Sequence, residues 1–234
     1  MDKANRAGRL AGKTMVVTGG AGILGHSVAN VARSEGAQIV LFDVVGDFSS
    51  DLTDSGAQYL QVDLTDDQAV ERAIAEVGSF DIVANIAGGF DMGPTVFETT
   101  DERWEAMQKI NVTTLRTMLR HAVPVLQRRG GGSIVNVGAL GALRGGGNMG
   151  AYTAAKSTVM RLTEALSDEL RHQSINVNAV LPSLIDTPRN RADMPDADHD
   201  QWVSPDDLAN VICFLASDDA SAVHGALVPV TGLV

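Results

Sequence analysis

Residues 13–37 read KTMVVTGGAGILGHSVANVARSEGA. The run Lys13 to Thr18 is short and β-rich, which predicts a strand, and the apolar residues of 26–37 recur at helical spacing. Between strand and helix lie the glycines at 19, 22 and 25. Without Cβ atoms their backbone can lie close to a ligand. The start of the following helix offers unpaired N–H groups and the positive end of the helix dipole, both suited to a pyrophosphate. Strand, glycine turn and helix in that order predict a phosphate-binding first turn in a parallel α/β sheet. A plain glycine-rich loop is the competing reading.

The next strand, AQIVLFD (37–43), ends on Asp43, 18 residues after Gly25. An acid at that place accepts hydrogen bonds from adenosine ribose hydroxyls and repels a 2′-phosphate. Val44, Val45 and Gly46 supply no compensating cation. The expected cofactor is therefore NAD(H); the alternative is a surface acid at a strand end. A third strand, QYLQVDL (58–64), leads through Asp63 into a helix with good N-terminal signals that runs to Gly78. Asp63 either reaches the adenine region or neighbours that helix's N-cap. A fourth strand, DIVANIAGG (81–89), delivers Asn85, Ala87, Gly88 and Gly89 to the same edge.

A long helical pattern from Asp101 to about Arg128 holds Asn111, a poor helix former, in its middle. It is read as a holder of water or lysine, or as an exposed polar residue. A fifth strand, Ser133 to Val137, runs into GALGALRGGGNMGAYTAAK (138–156). There Tyr152 and Lys156 stand one helical turn apart on one face. An ammonium beside a phenol favours phenolate, so the pair is a candidate acid/base unit, against the alternative of a surface helix pair. The helix continues to Arg171, a sixth strand is INVNAVLP (175–182), and the polar loop 183–203 is too long for a simple connection and reads as a substrate lid. His199 and Trp202 in it either touch substrate or are exposed loop residues. Ser204 opens a helix and GALVPVTG (225–232) closes the chain as a last strand.

The 234 residues suit one α/β domain, 1–234, with residues 1–9 flexible. A formal net charge of −11 disfavours nucleic acid and anionic membranes, leaving a small molecule as the expected partner. Cys213 is the single cysteine, so no internal disulfide forms, and the five histidines lack metal-ligand spacing, so no metal is expected. No apolar run is long enough for a signal peptide or span, which places the expected protein in the cytoplasm.

Together the TGGAGILG turn, Asp43, Asp63, the tract Asn85 to Gly88, Asn111, Tyr152 with Lys156, and VNAVLP followed by DTP resemble the short-chain dehydrogenase/reductase family over essentially the whole chain. The resemblance implies a Rossmann fold: a doubly wound parallel sheet of about seven strands with helices on both faces. It implies a catalytic group of Tyr152, Lys156 and Asn111, with Tyr152 giving or taking the proton, Lys156 lowering its pKa and holding the nicotinamide ribose, and Asn111 anchoring a water. It implies cofactor contacts at Gly19, Gly22, Ile23, Leu24, Gly25, Asp43, Asp63, Leu64, Asn85, Ala87, Gly88, Pro182, Ile185 and Thr187, and a homodimer or homotetramer.

The departures are specific. Where the family pattern has a serine thirteen residues before the tyrosine, this chain has Ala139; Ile23 follows the second glycine, Ile86 sits in the Asn-x-Ala-Gly tract, and Ser183 follows Pro182. The glycine turn, the Gly138-Ala139 pair, NMGAY, and the lid LPSLIDTPRNRADMPDADHDQW are similar to the quinonoid dihydropteridine reductase branch, in which an aromatic corresponding to Phe90 lies against the pterin. Substrate contacts are expected at Ala139, Phe90 and Asn148, with Asn148 partly replacing the serine. The expected activity is hydride transfer between nicotinamide and a small cyclic C=O or C=N group or a secondary alcohol. The alternatives are reduction of a quinonoid pterin and a non-catalytic NAD-binding scaffold.

Overall fold

A computed structural model describes residues 8–46 and 56–234. Seven strands form one parallel sheet: β1 (Thr14–Thr18), β2 (Gln38–Asp43), β3 (Gln58–Gln61), β4 (Ile82–Asn85), β5 (Gly132–Val137), β6 (Ile175–Pro182) and β7 (Leu227–Val230). Their order is β3-β2-β1-β4-β5-β6-β7. The chain winds outward from β1 to β3, then returns to β4 beside β1, so the order reverses between β1 and β4. In sheets of this kind that reversal opens a crevice at the carboxyl edge. The expected doubly wound α/β architecture is the one observed.

The helices are α1 (Ile23–Ser34), α2 (Asp67–Val77), α3 (Asp101–Gln108), α4 (Thr114–Arg129), α5 (Gly150–Leu170), α6 (Pro188–Asp193) and α7 (Pro205–Ala216). Strand alternation divides the core. Met15 and Val17, Ile39 and Leu41, and Val135 and Val137 face α1 and α7 on one side. Val16, Val40, Phe42, Val83 and Ile134 face α2 and α4 on the other. Burial on both faces explains why these strands read as continuous apolar runs. Asp66 caps α2 and Ser204 caps α7 through their side-chain oxygens.

Three details differ from expectation. The flexible segment 1–9 lies in part outside the described residues, but Arg9 donates to Glu35 at 2.8 Å and Leu10 is fully buried. The helix through Asn111 is broken by a π-helical turn, Lys109–Thr113, between α3 and α4. The stretch 183–203 carries α6 and a short turn at His199–Gln201 rather than an irregular loop.

A buried polar ladder crosses the middle of the sheet at the carboxyl edge. Thr18, Asn85 and Asn136 stand side by side in register on β1, β4 and β5. Asn85 donates to Asn136 Oδ1 at 2.8 Å, and Asn136 donates to Thr163 Oγ1 of α5 at 2.9 Å. Asn136 is wholly buried. Asn136→Ala removes the acceptor of one buried amide, and is expected to cost about 2 to 3 kcal/mol; the check is a lower urea midpoint at unchanged slope.

Candidate functional site

The crevice begins at the glycine turn. Gly19 has φ of +68°, a left-handed conformation, and a Cβ there would meet Ala87 N at 2.9 Å. A Cβ on Gly25 would meet the Gly19 carbonyl oxygen at 2.2 Å. Gly22 precedes α1 without any side-chain cap, so the N–H groups of the first turn, at Ile23 and Leu24, are not taken by a capping side chain. At the end of β2, Asp43 accepts from Ala21 N at 3.0 Å and from Val45 N at 3.2 Å, which holds its carboxylate beside the turn. This bare, close-packed cradle with an adjacent acid fits a dinucleotide. The same turn could not close around bulkier residues.

Asp63 lies past the end of β3, next to β2 in the sheet. Its Oδ1 accepts from both N and Oγ1 of Thr65, and these bonds hold its carboxyl below the usual carboxylate range. Leu64 beside it is buried. Asn85, expected at the cofactor, is only 7% exposed and its side chain bonds to Asn136. Its Oδ1 has no hydrogen-bond partner. It faces a polar cavity of about 10 Å3, which Thr18, Asn111, Asn136 and Lys156 also line. Ala87 and Gly88 carry the backbone out to the surface, tied by Thr18 Oγ1, which accepts from Ile86 N and Ala87 N at 3.1 Å.

Tyr152 and Lys156 emerge in the first two turns of α5. Lys156 is buried, 6% exposed, and donates to the Val137 carbonyl at 2.8 Å. Burial pushes its ammonium down to about 8 and the Tyr152 phenol up to about 12. The expectation that Lys156 lowers the pKa of Tyr152 is therefore corrected for the protein alone: desolvation dominates both groups. The edge of one ring meets the other between Phe90 and Tyr152, with centroids 4.9 Å apart and planes at 78°.

Asn111 is placed by the π-helical turn, which suits a site where a side chain must leave the regular helical spacing. Its amide is held on both sides: Oδ1 accepts from Gly89 N, and Nδ2 donates to the carbonyls of Gly89 and Met107, all at 3.1 Å. The side chain thus ties the backbone after β4 to the π-helical turn. Asn148, expected to replace the missing serine in part, donates to the Gly93 carbonyl at 2.6 Å.

Ala139 is 5% exposed and packs with Ala142, Met160 and Leu181, so this wall is apolar. Nearby hydroxyls point elsewhere: Ser157 donates to the Ala142 carbonyl at 2.7 Å, Thr153 to Met149 O at 2.9 Å, and Ser183 to Thr231 O at 2.8 Å. Beyond Pro182, the end of β6, Ile185 bridges to Val203 and Thr187 caps α6 by accepting from Asn190 N at 3.2 Å. Trp202 is buried, and His199 packs against it with the ring planes tilted at 58° while contacting Met194 O, so both are engaged with the lid rather than free loop side chains. The residues the sequence reading missed are Thr18, Asn136 and Arg103. Arg103 pairs with Asp91, and its charge alone gave no signal of that partner. Among the described residues no helix is long and apolar enough to cross a membrane.

Comparison with known proteins agrees with this geometry. A family model described as Enoyl-(Acyl carrier protein) reductase matches residues 19–232. Short chain dehydrogenase adrF of Penicillium rubens is 31% identical, over 92% of this chain and 94% of its own. The cis-4-hydroxycyclohexanecarboxylate dehydrogenase of Sinomonas cyclohexanicum is 33% identical, over 94% of this chain and 95% of its own. The solved carveol dehydrogenase from Mycobacterium avium, in complex with NAD, superposes with a TM-score of 0.85 at 30% identity, covering 96% of this chain and 98% of that one. Another solved neighbour carries NADP. With the parallel sheet, the glycine turn and the Tyr152–Lys156 pair in place, these matches establish that the chain is an oxidoreductase and belongs to the short-chain dehydrogenase/reductase family.

Proposed function

We propose that this protein is an NAD(H)-preferring dehydrogenase of alicyclic secondary alcohols and their ketones, with Tyr152 as the acid/base. The observation that carries the reading is the T-shaped pairing of Tyr152 with Phe90, beside the apolar wall of Ala139. A compact, uncharged apolar ring suits such a slot, whereas a charged or strongly hydrated substrate would be desolvated there without partners. Names carried by two relatives, a hydroxycyclohexanecarboxylate dehydrogenase and a carveol dehydrogenase, support the same class.

Gly19, Gly22, Ile23, Leu24 and Gly25 would hold the pyrophosphate, Asp43 the adenosine ribose, and Asp63 with Leu64 the adenine side. Ala87, Gly88, Lys156, Pro182, Ile185 and Thr187 would flank the nicotinamide half. The bound nicotinamide supplies the hydride donor or acceptor. Tyr152 gives a proton to the forming alkoxide in reduction and takes the hydroxyl proton in oxidation. A phenol pushed up to about 12 is protonated at neutral pH, which suits the reductive direction. Asn85 acts through Asn136.

A second reading, reduction of a quinonoid dihydropterin, is favoured by the lack of a free hydroxyl at Ala139, because a conjugated C=N accepts hydride without a donor on a carbonyl oxygen. A non-catalytic NAD-binding scaffold is the third.

The deciding assay follows NADH absorbance with cyclohexanone, a substituted cyclohexanol and quinonoid dihydropterin. Ketone and alcohol turnover is expected to exceed pterin turnover, and Tyr152→Phe to lower it at least about a thousandfold. Turnover of none of the three substrates by a protein that still binds NADH would favour the scaffold, and equal turnover by Tyr152→Phe would move the acid/base role to another group. Asp43→Ala is expected to lose most of the preference for NADH over NADPH, read from the ratio of kcat/KM values; a retained preference would move cofactor choice elsewhere. Lys156 gives a pH test. With its folded pKa at about 8 against an ordinary lysine value of 10.5, the native state sheds this proton first, so its burial penalty is present below pH 8 and relieved from there to about 10.5. Lys156→Met is expected to be more stable than the parent at pH 7, by up to about 3 kcal/mol, with the gap closing toward pH 10 in denaturant titrations.

A further inference from the structure

The connection that leaves β4 toward α3 is tied down on both sides of Phe90. Gly89 exchanges two hydrogen bonds with the Asn111 amide, each 3.1 Å. Asp91 takes the Arg103 guanidinium in a fork, at 2.8 Å and 2.5 Å, and Arg103 also donates to Met92 O at 3.2 Å. Gly93 donates to the Asn148 carbonyl at 2.8 Å and accepts from Asn148 Nδ2 at 2.6 Å. Only Phe90 in this strap of five has no hydrogen bond to another described residue, and its ring is the one that meets Tyr152.

The last of these ties differs from the others, because it joins the connection after β4 to the connection after β5. Asn148 belongs to the connection between β5 and α5, the segment that carries Ala139 and leads into Tyr152. It sits at φ of 61°, a left-handed conformation that costs most side chains energy but that asparagine tolerates. Gly93, its partner, is also at positive φ, 136°. Both backbones are bent into unusual conformations to make a two-bond contact between the two walls of the site. A purely local turn would need neither the reciprocal pair nor the amide, since glycine satisfies left-handed φ at no cost.

We propose that Asn148 is a positioning residue: by clamping Gly93 it fixes Phe90 in its T-shaped contact with Tyr152, and the slot so defined selects ring alcohols over flexible acyclic ones. This rests on the proposed alcohol dehydrogenase reading. A ring cannot adapt to a wall that has moved, whereas an acyclic chain can, so loosening the strap falls hardest on the ring substrate. Misplacement of a reacting group by about 1 Å costs up to about a hundredfold in rate.

The test is a double-mutant cycle of Asn148→Gly and Phe90→Ala, with glycine chosen because it keeps the left-handed backbone and removes only the amide. The readout is the ratio of kcat/KM for cyclohexanol to that for 2-octanol with NAD, beside NADH affinity and amide exchange over residues 89–93. Asn148→Gly is expected to lower the ratio about tenfold and to speed exchange over the strap. In the Phe90→Ala background the same substitution is expected to change the ratio no further, because residues acting through one another are non-additive. NADH affinity is expected to stay within about twofold, since the clamp lies outside the cradle around Gly19 and Asp43. Independent effects in the cycle, or an unchanged ratio in an active Asn148→Gly enzyme, would overturn the proposal. A parent protein inert to both alcohols overturns the functional reading instead, and the exchange measurement then decides the clamp alone: unchanged exchange in Asn148→Gly rejects it.

Discussion

Backbone contact at the point where the strand order reverses is the constraint on which the rest of the site depends. Gly25 lies so close to the Gly19 carbonyl that a Cβ would stand 2.2 Å from its oxygen, and Gly19 lies almost as close to the start of the segment after β4. No other residue type fits those two places without moving backbone. The contact brings the start of α1 to the carboxyl edge and leaves Ala87 and Gly88 as a bare floor. From there the crevice is assembled by register: Thr18, Asn85 and Asn136 are level on adjacent strands, and Val137, the next residue, presents the carbonyl that receives Lys156. A lysine with no carboxylate partner would be costly in an apolar interior. Here it ends against a carbonyl and a small polar cavity, which keeps it ionisable.

Much of this was legible in the sequence, because its causes are local. Strand and helix periods, the glycine turn, the acid ending β2 and the Tyr152–Lys156 spacing each follow from chemistry within one element. Strand ends were less legible. The fourth strand stops at Asn85, since the N–H groups of Ile86 and Ala87 turn to the Thr18 hydroxyl, a partner 68 residues or more away. The helix α6 carried a readable signal, Thr187 followed by Pro188, the same cap and proline that mark α7 at Ser204-Pro205. Its polar composition concealed it.

The amides were not legible at all. Asn111 and Asn148 announced themselves as polar residues in odd places, but a side-chain amide is defined by its partners, and these lie 22 and 55 residues away. Both amides serve the same short strap. The π-helical turn at Lys109–Thr113 has no composition of its own either; it is stabilised by the bonds that Asn111 makes, so position and partner arise together. What reads as a catalytic asparagine in the pattern is, in the folded chain, also a fastener for the wall beside the tyrosine.

Ala139 draws these threads together. Losing an oriented donor at a reacting oxygen costs roughly a hundred- to a thousandfold in rate when nothing compensates. On the proposed reading, each neighbouring hydroxyl that bonds elsewhere leaves Tyr152 to carry the polar contact, so the surroundings of that one phenol decide the outcome. An electrostatic contact strengthens as water is removed from around it, and Phe90, in a strap whose other four residues are hydrogen-bonded, sets its ring against Tyr152. On the proposed reading, an apolar wall and a single donor stand where the family pattern has two donors. Such an arrangement is tolerant of oxygen geometry and intolerant of poor shape fit, which is why selectivity here should reside in the strap rather than in the residues that pattern matching identifies as the machinery.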